Sequence, residues 1–309
     1  VSPSIIDNAG TVQFNQVLTN VAYATATTIS YAATPVALPV GTGVTIAGTG
    51  RCGTTKLQTI LKQVPETFVE MDETDESLFN VRIPSITNPE LADAAVKRKL
   101  FDIENNPLYT PYSTFAVDGH VTGNNFLHHF INNKVIPHTF ILRRRPREVA
   151  KSLFRLGWIP AKSPLILMHF NGPNEGDVMP FNDWQTAHSY QLCFWYCCEI
   201  ERRLKNVKNL LIGNDVPFFE MTLEEMLDVN IFNKALELFN LPTIQNITKE
   251  KENATARYKN SYQLLVLDED PPEEFLHNLE LDVLNRIPRE EKEYILDSWY
   301  KIWPDLPYR

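Results

Sequence analysis

Short apolar runs alternate along the chain with stretches in which apolar residues recur every three or four positions. Residues 44–47, 114–117 and 138–142 are short runs rich in β-branched and aromatic side chains, which is the pattern of buried strands. Apolar side chains then recur at helical spacing, as Leu57 and Leu61 do after the first run. This alternation predicts an α/β fold in which helices cover both faces of a mainly parallel central sheet.

The same patterns predict the remaining elements. We expect helices over residues 56–63, 89–104, 123–133, 148–156, 183–204, 231–239 and 289–302, and one that begins at Thr222. Residues 209–212 are predicted as a strand and residues 218–221 as a turn. The acidic residues 66–76 indicate a loop or a solvated face. Residues 157–182 combine proline, glycine and asparagine with large apolar side chains, which is typical of a lid or a binding loop.

Residues 1–40 differ in composition from the rest of the chain. Charged side chains are scarce there, and single apolar residues alternate with threonine, alanine and asparagine as far as Pro35 and Pro39. This composition predicts short strands or an extended arm. We therefore expect an N-terminal arm over residues 1–40 and one α/β domain over residues 41–309. Three roles for the arm stay open: a plain surface arm, a cover for a sheet edge, or a contact with a second copy of the chain in a homo-oligomer.

The strongest local motif follows the first apolar strand. Gly48, Gly50 and Gly53 let the backbone turn sharply and bring its N–H groups close to a bound anion. The helix after this loop adds N–H groups and a positive dipole end, and Arg51 adds a fixed charge. These features predict a site for a phosphate or a sulfate group.

Two features distinguish this loop from that of a nucleoside-triphosphate hydrolase or kinase. Gly48 and Gly53 have the spacing of the nucleotide-binding loop, but Thr54 stands where that loop has lysine. The strand over residues 138–142 ends in arginines, where a magnesium-binding aspartate would be expected. Clustered positive charges repel a metal ion and attract a further anion, which argues against nucleoside-triphosphate chemistry.

Residues 51–55, together with Arg144 and Ser152, resemble the sulfotransferases that use 3′-phosphoadenosine-5′-phosphosulfate. In that family the loop holds the 5′-phosphosulfate end of the donor, and Cys52 stands where serine is common. Arg144 follows a strand and Ser152 lies eight residues later on the next helix, as in the pair that binds the 3′-phosphate. Residues 209–242 also look like the strand, acidic turn and helix of the family.

The resemblance implies a three-layer α/β/α fold and a P-loop-like phosphosulfate loop. It also implies a phosphosulfate donor whose product is adenosine 3′,5′-bisphosphate, and no metal. Arg51 would neutralise the leaving 5′-phosphate, and the backbone N–H groups of residues 53–55 would hold it. The residues assigned to the donor in this way are Gly50, Arg51, Cys52, Gly53, Thr54, Thr55, Lys56, Arg144, Ser152 and, in a late basic loop, Arg257 and Lys259.

Two kinds of residue are candidates for the base that deprotonates the acceptor. One branch of the family has a histidine at a strand end upstream of the arginine–serine pair, and His120 occupies a similar place. An unperturbed imidazole accepts a proton near neutral pH. Other branches use a glutamate shortly after the loop helix, which is Glu70 or Glu73 here, and burial would have to raise its pKa.

Composition narrows the function further. A net charge of −9 argues against general nucleic-acid binding and, mildly, against a long polyanionic acceptor. No run approaches 18 apolar residues, so we expect no membrane span. Four cysteines with neither disulfide nor zinc spacing favour a cytoplasmic setting. A chain that begins with Val1 leaves room for a trimmed signal or anchor.

The apolar side chains of residues 157–182 favour a small or amphipathic alcohol, phenol or amine as the acceptor. Trp158, Phe170 and Trp184 are candidates for its pocket or for stacking on adenine. Two other functions stay open. One is a nucleotide kinase with a shifted lysine, and the other is a sulfotransferase-like protein that binds without catalysis.

Overall fold

The chain divides by its internal contacts into two units, Val1–Ala37 and Leu38–Arg309. In the first unit, β1 (Ile5–Ile6) pairs antiparallel with β2 (Val12–Gln13). The predicted arm over residues 1–40 and its part in oligomerisation stay predictions. The computed structural model describes residues 5–6, 12–13, 43–70, 76–105, 114–117, 121–135, 137–163, 170–247 and 271–308.

A five-stranded sheet forms the centre of the second unit. Its strands are β3 (Gly43–Gly48), β4 (Thr67–Glu70), β5 (Thr114–Val117), β6 (His138–Arg143) and β7 (Phe218–Thr222). They lie in the order β4-β5-β3-β6-β7, and neighbouring strands are parallel. β3 is therefore central, and its carboxyl end opens at the edge of the sheet where ligands bind in open α/β folds.

Helices follow most of these strands. They are α1 (Thr54–Leu61), α2 (Glu76–Thr87), α3 (Pro89–Asn105), a π-helical turn (Thr122–Phe126) continued by α4 (Leu127–Asn132), α5 (Pro146–Arg155), α6 (Ser189–Gly213), α7 (Leu223–Met226), α8 (Val229–Leu238), α9 (Glu273–Arg286) and α10 (Arg289–Ile302). Of these, α2 and α9 were not predicted from the sequence.

Alternate residues of the central strands face opposite helix layers, as the period of a strand requires. Ile46 and Phe140 belong to a buried cluster that includes residues of α1 and α8. Ala47 and Ile141 belong to a second cluster, which includes residues of α5, α6, α9 and α10. Since helices cover both faces of the sheet, the predicted three-layer α/β/α architecture is confirmed.

Two predictions near the last strand are wrong. Residues 209–212, predicted as a strand, belong to the end of α6, and residues 218–221, predicted as a turn, belong to β7. A short apolar run does not by itself distinguish a strand from a helix. Val207 and Leu211, four residues apart, are buried, whereas Ile212 is 66% exposed, which is the burial pattern of a helix face.

The charged residue Glu220 interrupts the apolar pattern of β7, so the sequence does not show it as a strand. Its carboxylate is paired with Arg143 at 2.5 Å and with Lys208 at 2.7 Å, so the strand carries a compensated charge. Burial acts to raise the pKa of Glu220, but Arg143 and Lys208 hold this pKa below its usual value. Tertiary neighbours thus permit a strand that composition alone disfavours.

Two further predictions differ from the structure. The helix predicted over residues 183–204 begins at Ser189, because the His188 imidazole accepts from the backbone N–H of Tyr190 and caps the helix. The acidic run over residues 66–76, predicted as a loop or a solvated face, contains β4.

Candidate anion-binding site

The loop between β3 and α1 has a backbone that its glycines make possible. Gly53 has a φ of 107°, and a Cβ atom there would lie 2.6 Å from Leu223 Cδ1 in α7. Arg51 also has a positive φ, 70°. The N–H of Cys52 donates to the carbonyl of Thr49 at 3.2 Å and closes the turn. The loop is therefore tight, and the backbone conformation at position 53 favours glycine.

Asn124 fixes the point at which β3 enters the loop. Its side chain accepts from the N–H of Gly48 at 3.1 Å and donates to the carbonyl of the same residue at 2.8 Å. Gly123 allows this approach, because a Cβ atom there would lie 2.1 Å from the Ile46 carbonyl oxygen. Sequence reasoning missed both residues. The available signal was a glycine followed by asparagine at the start of a predicted helix, which is weak.

Arg51, Arg144 and Ser152 meet at the side of the loop. Arg51 Nε donates to Ser152 Oγ at 3.0 Å, and Arg144 Nη1 donates to the carbonyl oxygen of Arg51 at 3.0 Å. Parallel pairing of β3 with β6 brings the two motifs together, because both strands end at the same edge. The structure thus unites three residues that the sequence analysis assigned to the two ends of one donor.

Trp158 lies against the same cluster. The guanidinium carbon of Arg51 is 5.5 Å from the centroid of the Trp158 ring, within the range of a cation–π contact. The ring of Phe170 is 6.0 Å from that of Trp158, but Phe170 is itself buried in the core. Trp184 lies in a short 3₁₀ turn and packs against the same core. Of the three predicted aromatic candidates, Trp158 therefore lies beside the loop.

The basic run after β6 divides among several partners. Arg143 is buried and paired with Glu201 and Glu220, Arg145 pairs with Asp305, and Arg147 pairs with Glu280 and Glu273. Within the part of the chain that the structure describes, Arg144 is the member of the run that contacts the loop. The run is therefore mainly structural, and one of its charges serves the candidate site.

The other predicted loop residues have different surroundings. Thr54 and Thr55 open α1 and, like Gly53, are partly exposed, as is Lys56 after them. Gly50 is buried within the turn. The side chain of Cys52 is fully buried in the cluster that includes residues of α1 and α8, which accounts for an apolar thiol at this position. Cys52 thus anchors the loop in the core.

The candidate bases are only partly described. Glu70 ends β4 and is buried, and its carboxylate is paired with Lys99 of α3. This pair compensates the charge of Glu70. His120, Glu73, Arg257 and Lys259 lie outside the described residues.

Residues 170–182 pack against the core. Glu175 accepts from two nitrogens of Arg82 at 2.9 and 3.1 Å, and Arg82 is itself 2% exposed. Glu199, fully buried in α6, accepts from the N–H of Met179 at 2.9 Å. These buried hydrogen bonds to carboxylates attach residues 170–182, the second half of the predicted lid, to the core.

Metal-binding clusters and membrane-spanning helices are absent from the described part of the chain. No group of three or more histidine, cysteine, aspartate or glutamate side chains there could hold a metal ion. No described helix is both long and apolar enough to cross a membrane.

Comparisons with known proteins give distant or partial similarity. No family model matches the chain. Neutral ceramidase A of Dictyostelium discoideum is 31% identical over 147 residues, which cover 48% of this chain and 19% of that protein.

Two solved structures are similar to most of the chain. The sulfotransferase domain from the curacin biosynthetic pathway has a TM-score of 0.45 and 11% identity, over 83% of this chain and 97% of that one. The sulfotransferase domain from the Synechococcus PCC 7002 olefin synthase has a TM-score of 0.44 and 12% identity, over 86% and 95%. At these values neither assigns a family.

Proposed function

We propose that this chain is a sulfotransferase that moves a sulfuryl group from 3′-phosphoadenosine-5′-phosphosulfate to a hydroxyl or amine of a small or amphipathic acceptor. The observation that supports this most directly is the hydrogen-bonded cluster of Arg51, Arg144 and Ser152 beside the loop after β3. Two guanidinium groups and a hydroxyl next to the N-terminus of α1 suit a donor that carries two separate anionic groups.

Each part of the cluster has a distinct task in this proposal. The loop and the start of α1 receive the 5′-phosphosulfate, because their N–H groups and the helix dipole favour an anion. Arg144 and Ser152 receive the 3′-phosphate. Ser152 Oγ accepts from Arg51, so its own hydrogen is available for a phosphate oxygen. Arg51, between the two subsites, stabilises the negative charge that develops on the leaving phosphate.

The chemical step is an in-line displacement at sulfur. A bond forms between the acceptor oxygen or nitrogen and sulfur, while the bond from sulfur to the bridging oxygen of the 5′-phosphate breaks. The electron pair of that bond stays on the phosphate, where Arg51 and the loop N–H groups stabilise it. The acceptor proton goes to a base, for which we propose His120. The support is that β5 runs parallel beside β3 and ends at Val117, three residues before His120 in the sequence.

Calorimetry with adenosine 3′,5′-bisphosphate tests the donor assignment. We expect the wild type to bind without magnesium and Arg144→Ala to bind about 10- to 100-fold more weakly, since a charge-assisted hydrogen bond to phosphate is lost. Arg145→Ala is the matched control, because Arg145 pairs with exposed Asp305. Tighter binding of ATP with magnesium would instead support a nucleotide kinase, and binding of the bisphosphate without turnover would support a non-catalytic protein.

Turnover of labelled donor over a panel of alcohols, phenols and amines tests the base. We expect His120→Ala to lose about two or more orders of magnitude in kcat, as is usual for a general base. Glu70→Gln leaves Lys99 buried without its partner and should be less stable, so its activity is compared per folded molecule, and there we expect most of kcat to be kept because Glu70 already compensates Lys99. The reverse result would move the role of base from His120 to Glu70, while leaving the donor assignment intact.

A further inference from the structure

The side chain of Asn124 pairs with the backbone at the point where β3 ends. Its amide is buried, accepts from the N–H of Gly48 at 3.1 Å and donates to the carbonyl of Gly48 at 2.8 Å. Among the described residues, β5 pairs with β3 over residues 43–45, whereas β6 pairs with it as far as Gly48. The amide therefore supplies Gly48 with the two hydrogen bonds that a residue of a further strand would make.

The bond to the Gly48 carbonyl also decides where this carbonyl points. It belongs to the peptide unit between Gly48 and Thr49, which leads into the turn that the N–H of Cys52 closes on the carbonyl of Thr49. A backbone concavity binds an anion by turning its N–H groups inward, and a carbonyl oxygen turned inward would repel the anion. A carbonyl that is bonded to Asn124 is prevented from turning in this way.

The π-helical turn that carries Asn124 lies in a fixed position against β3. A Cβ atom on Gly123 would lie 2.1 Å from the carbonyl oxygen of Ile46, so the two backbones are in close contact. On the other side of Asn124, the side chain of Asn125 accepts from Arg203 Nη1 at 2.9 Å. π-Helical turns are rare and frequently lie at functional sites. The amide of Asn124 is thus held from both sides of the residue.

We propose that Asn124 is a positioning residue for anion binding, which keeps the carbonyl of Gly48 turned away from the anion so that the N–H groups of the loop between β3 and α1 can face it. This inference rests on the proposed function, in which the anion is the 5′-phosphosulfate end of the donor. Asn124 acts through the backbone of Gly48 and does not itself touch the donor.

Asn124→Asp tests the inference by calorimetry with inorganic pyrophosphate and with adenosine 3′,5′-bisphosphate. The new carboxylate has nearly the size of the amide and can accept from the N–H of Gly48, but it cannot donate to the carbonyl. At about pH 8 we expect both ligands to bind about tenfold more weakly than to the wild type, or weaker still, because a hydrogen bond is lost and a negative charge is added.

A pH series on the same variant separates positioning from general damage. Burial and the facing carbonyl favour the protonated form of the introduced carboxyl group, which can donate to Gly48 and carries no charge. We therefore expect the affinity of Asn124→Asp, divided by that of the wild type at the same pH, to recover as the pH falls to about 5.5. A ratio that stays low throughout would overturn the inference.

The other titratable groups around the turn do not produce this recovery. The turn packs on β3, α4 and α6. No titratable side chain lies in β3, whereas α4 carries His128 and His129, and α6 places Arg203 against Asn125. The histidines titrate in the wild type as well, and arginine keeps its charge over the whole range. Their effects therefore cancel in the ratio.

Asn125→Asp is the matched control, because it places the same charge on the next residue. Its carboxylate would face Arg203 instead of Gly48, and it loses a similar hydrogen bond, since Asn125 Nδ2 donates to the carbonyl of Val121 at 2.9 Å. We expect this variant to bind both ligands within about twofold of the wild type at each pH. Equal weakening in the two variants would overturn the inference, because any carboxylate in the turn would then have the same effect.

Asn124→Ala decides the question if Asn124→Asp does not fold. It removes both hydrogen bonds without an added charge, and it should be less stable because the buried N–H and carbonyl of Gly48 lose their partner. Affinity is therefore compared per folded molecule, where we expect about tenfold weaker binding relative to the wild type at every pH. Wild-type affinity in the folded variant would overturn the inference.

The two ligands separate failure of this inference from failure of the proposed function. A wild type that binds both ligands, with equally tight binding by Asn124→Asp, overturns the role of Asn124 and leaves the donor standing. A wild type that binds pyrophosphate but not the bisphosphate overturns the donor, and Asn124 is then judged on pyrophosphate alone. A wild type that binds neither overturns both.

Discussion

Glu201 joins the last helix to the sheet, and removal of its charge should destabilise the fold. Its carboxylate is paired with Arg143 of β6 and accepts from Ser298 Oγ at 2.7 Å and from Trp299 Nε1 at 3.0 Å. The side chains of Glu201 and Arg143 are both only 3% exposed. Glu201→Gln keeps the shape of the side chain but leaves a buried guanidinium with less countercharge.

The expected magnitude follows from burial. Removal of one partner of a buried ion pair typically costs about 3–5 kcal/mol. Glu220 still accepts from Arg143 Nε at 2.5 Å and is 30% exposed, so it compensates part of the loss. We therefore expect a loss near the lower limit, about 3 kcal/mol in the free energy of unfolding. Urea unfolding followed by tryptophan fluorescence measures it, and Trp299 reports directly on the altered contact.

Asp305→Asn is the control from the same arginine run. The pair of Asp305 with Arg145 is 3.0 Å long, but its members are 66% and 43% exposed. Exposed pairs contribute little to stability, so this variant should unfold close to the wild type. If both variants lose the same stability, or if Glu201→Gln unfolds at the wild-type urea concentration, burial does not determine the strength of these pairs and the reasoning is refuted.

Two further predictions concern the loop and the core. Gly53→Ala should cost about 1–3 kcal/mol and weaken bisphosphate binding, because φ is 107° and the new Cβ would lie 2.6 Å from Leu223 Cδ1. Gly176→Ala, whose Cβ would meet nothing closer than 3.8 Å, is the control, and equal binding by the two variants would contradict the prediction. Burial lowers the pKa of His138, which stacks on Phe239, below its ordinary 6.5, so the unfolded chain binds the proton more readily. The stability linked to His138 should therefore be complete above about pH 6.5 and decline as the pH falls below it. In thermal unfolding between about pH 7.5 and 5, His138→Phe should show a smaller decline than the wild type, and an identical decline would exclude this role.

Local patterns predicted the parts of the fold whose signals lie within a few neighbouring residues. The strand, the glycine loop and the helix around Gly53 were recognisable, because β-branched residues, glycines and helical spacing follow one another directly. The capping box of Thr222 and Glu225 was equally local, and the structure contains it. The same local view misplaced β7, because nothing near Glu220 in the sequence indicates that Arg143 and Lys208 neutralise it.

The candidate site shows the same division. The glycine loop singled out Arg51, and the resemblance to the sulfotransferases singled out Arg144 and Ser152. The parallel pairing of β3 with β6 brings the three residues into contact. Asn124 carried only a weak signal, because its contact with the loop exists only when the π-helical turn packs on β3.

The conformation of the loop between β3 and α1 was thus determined by the sequence itself, since its glycines and Arg51 act through the local backbone. The destinations of the arginines after β6 were decided by the tertiary structure. Arg143 and Arg147 are drawn into buried pairs with Glu201 and Glu280, which lie far away in the sequence, and Arg144 turns to the loop. A buried carboxylate requires a nearby cation, so the positions of distant glutamates determine which arginines are held away from the loop.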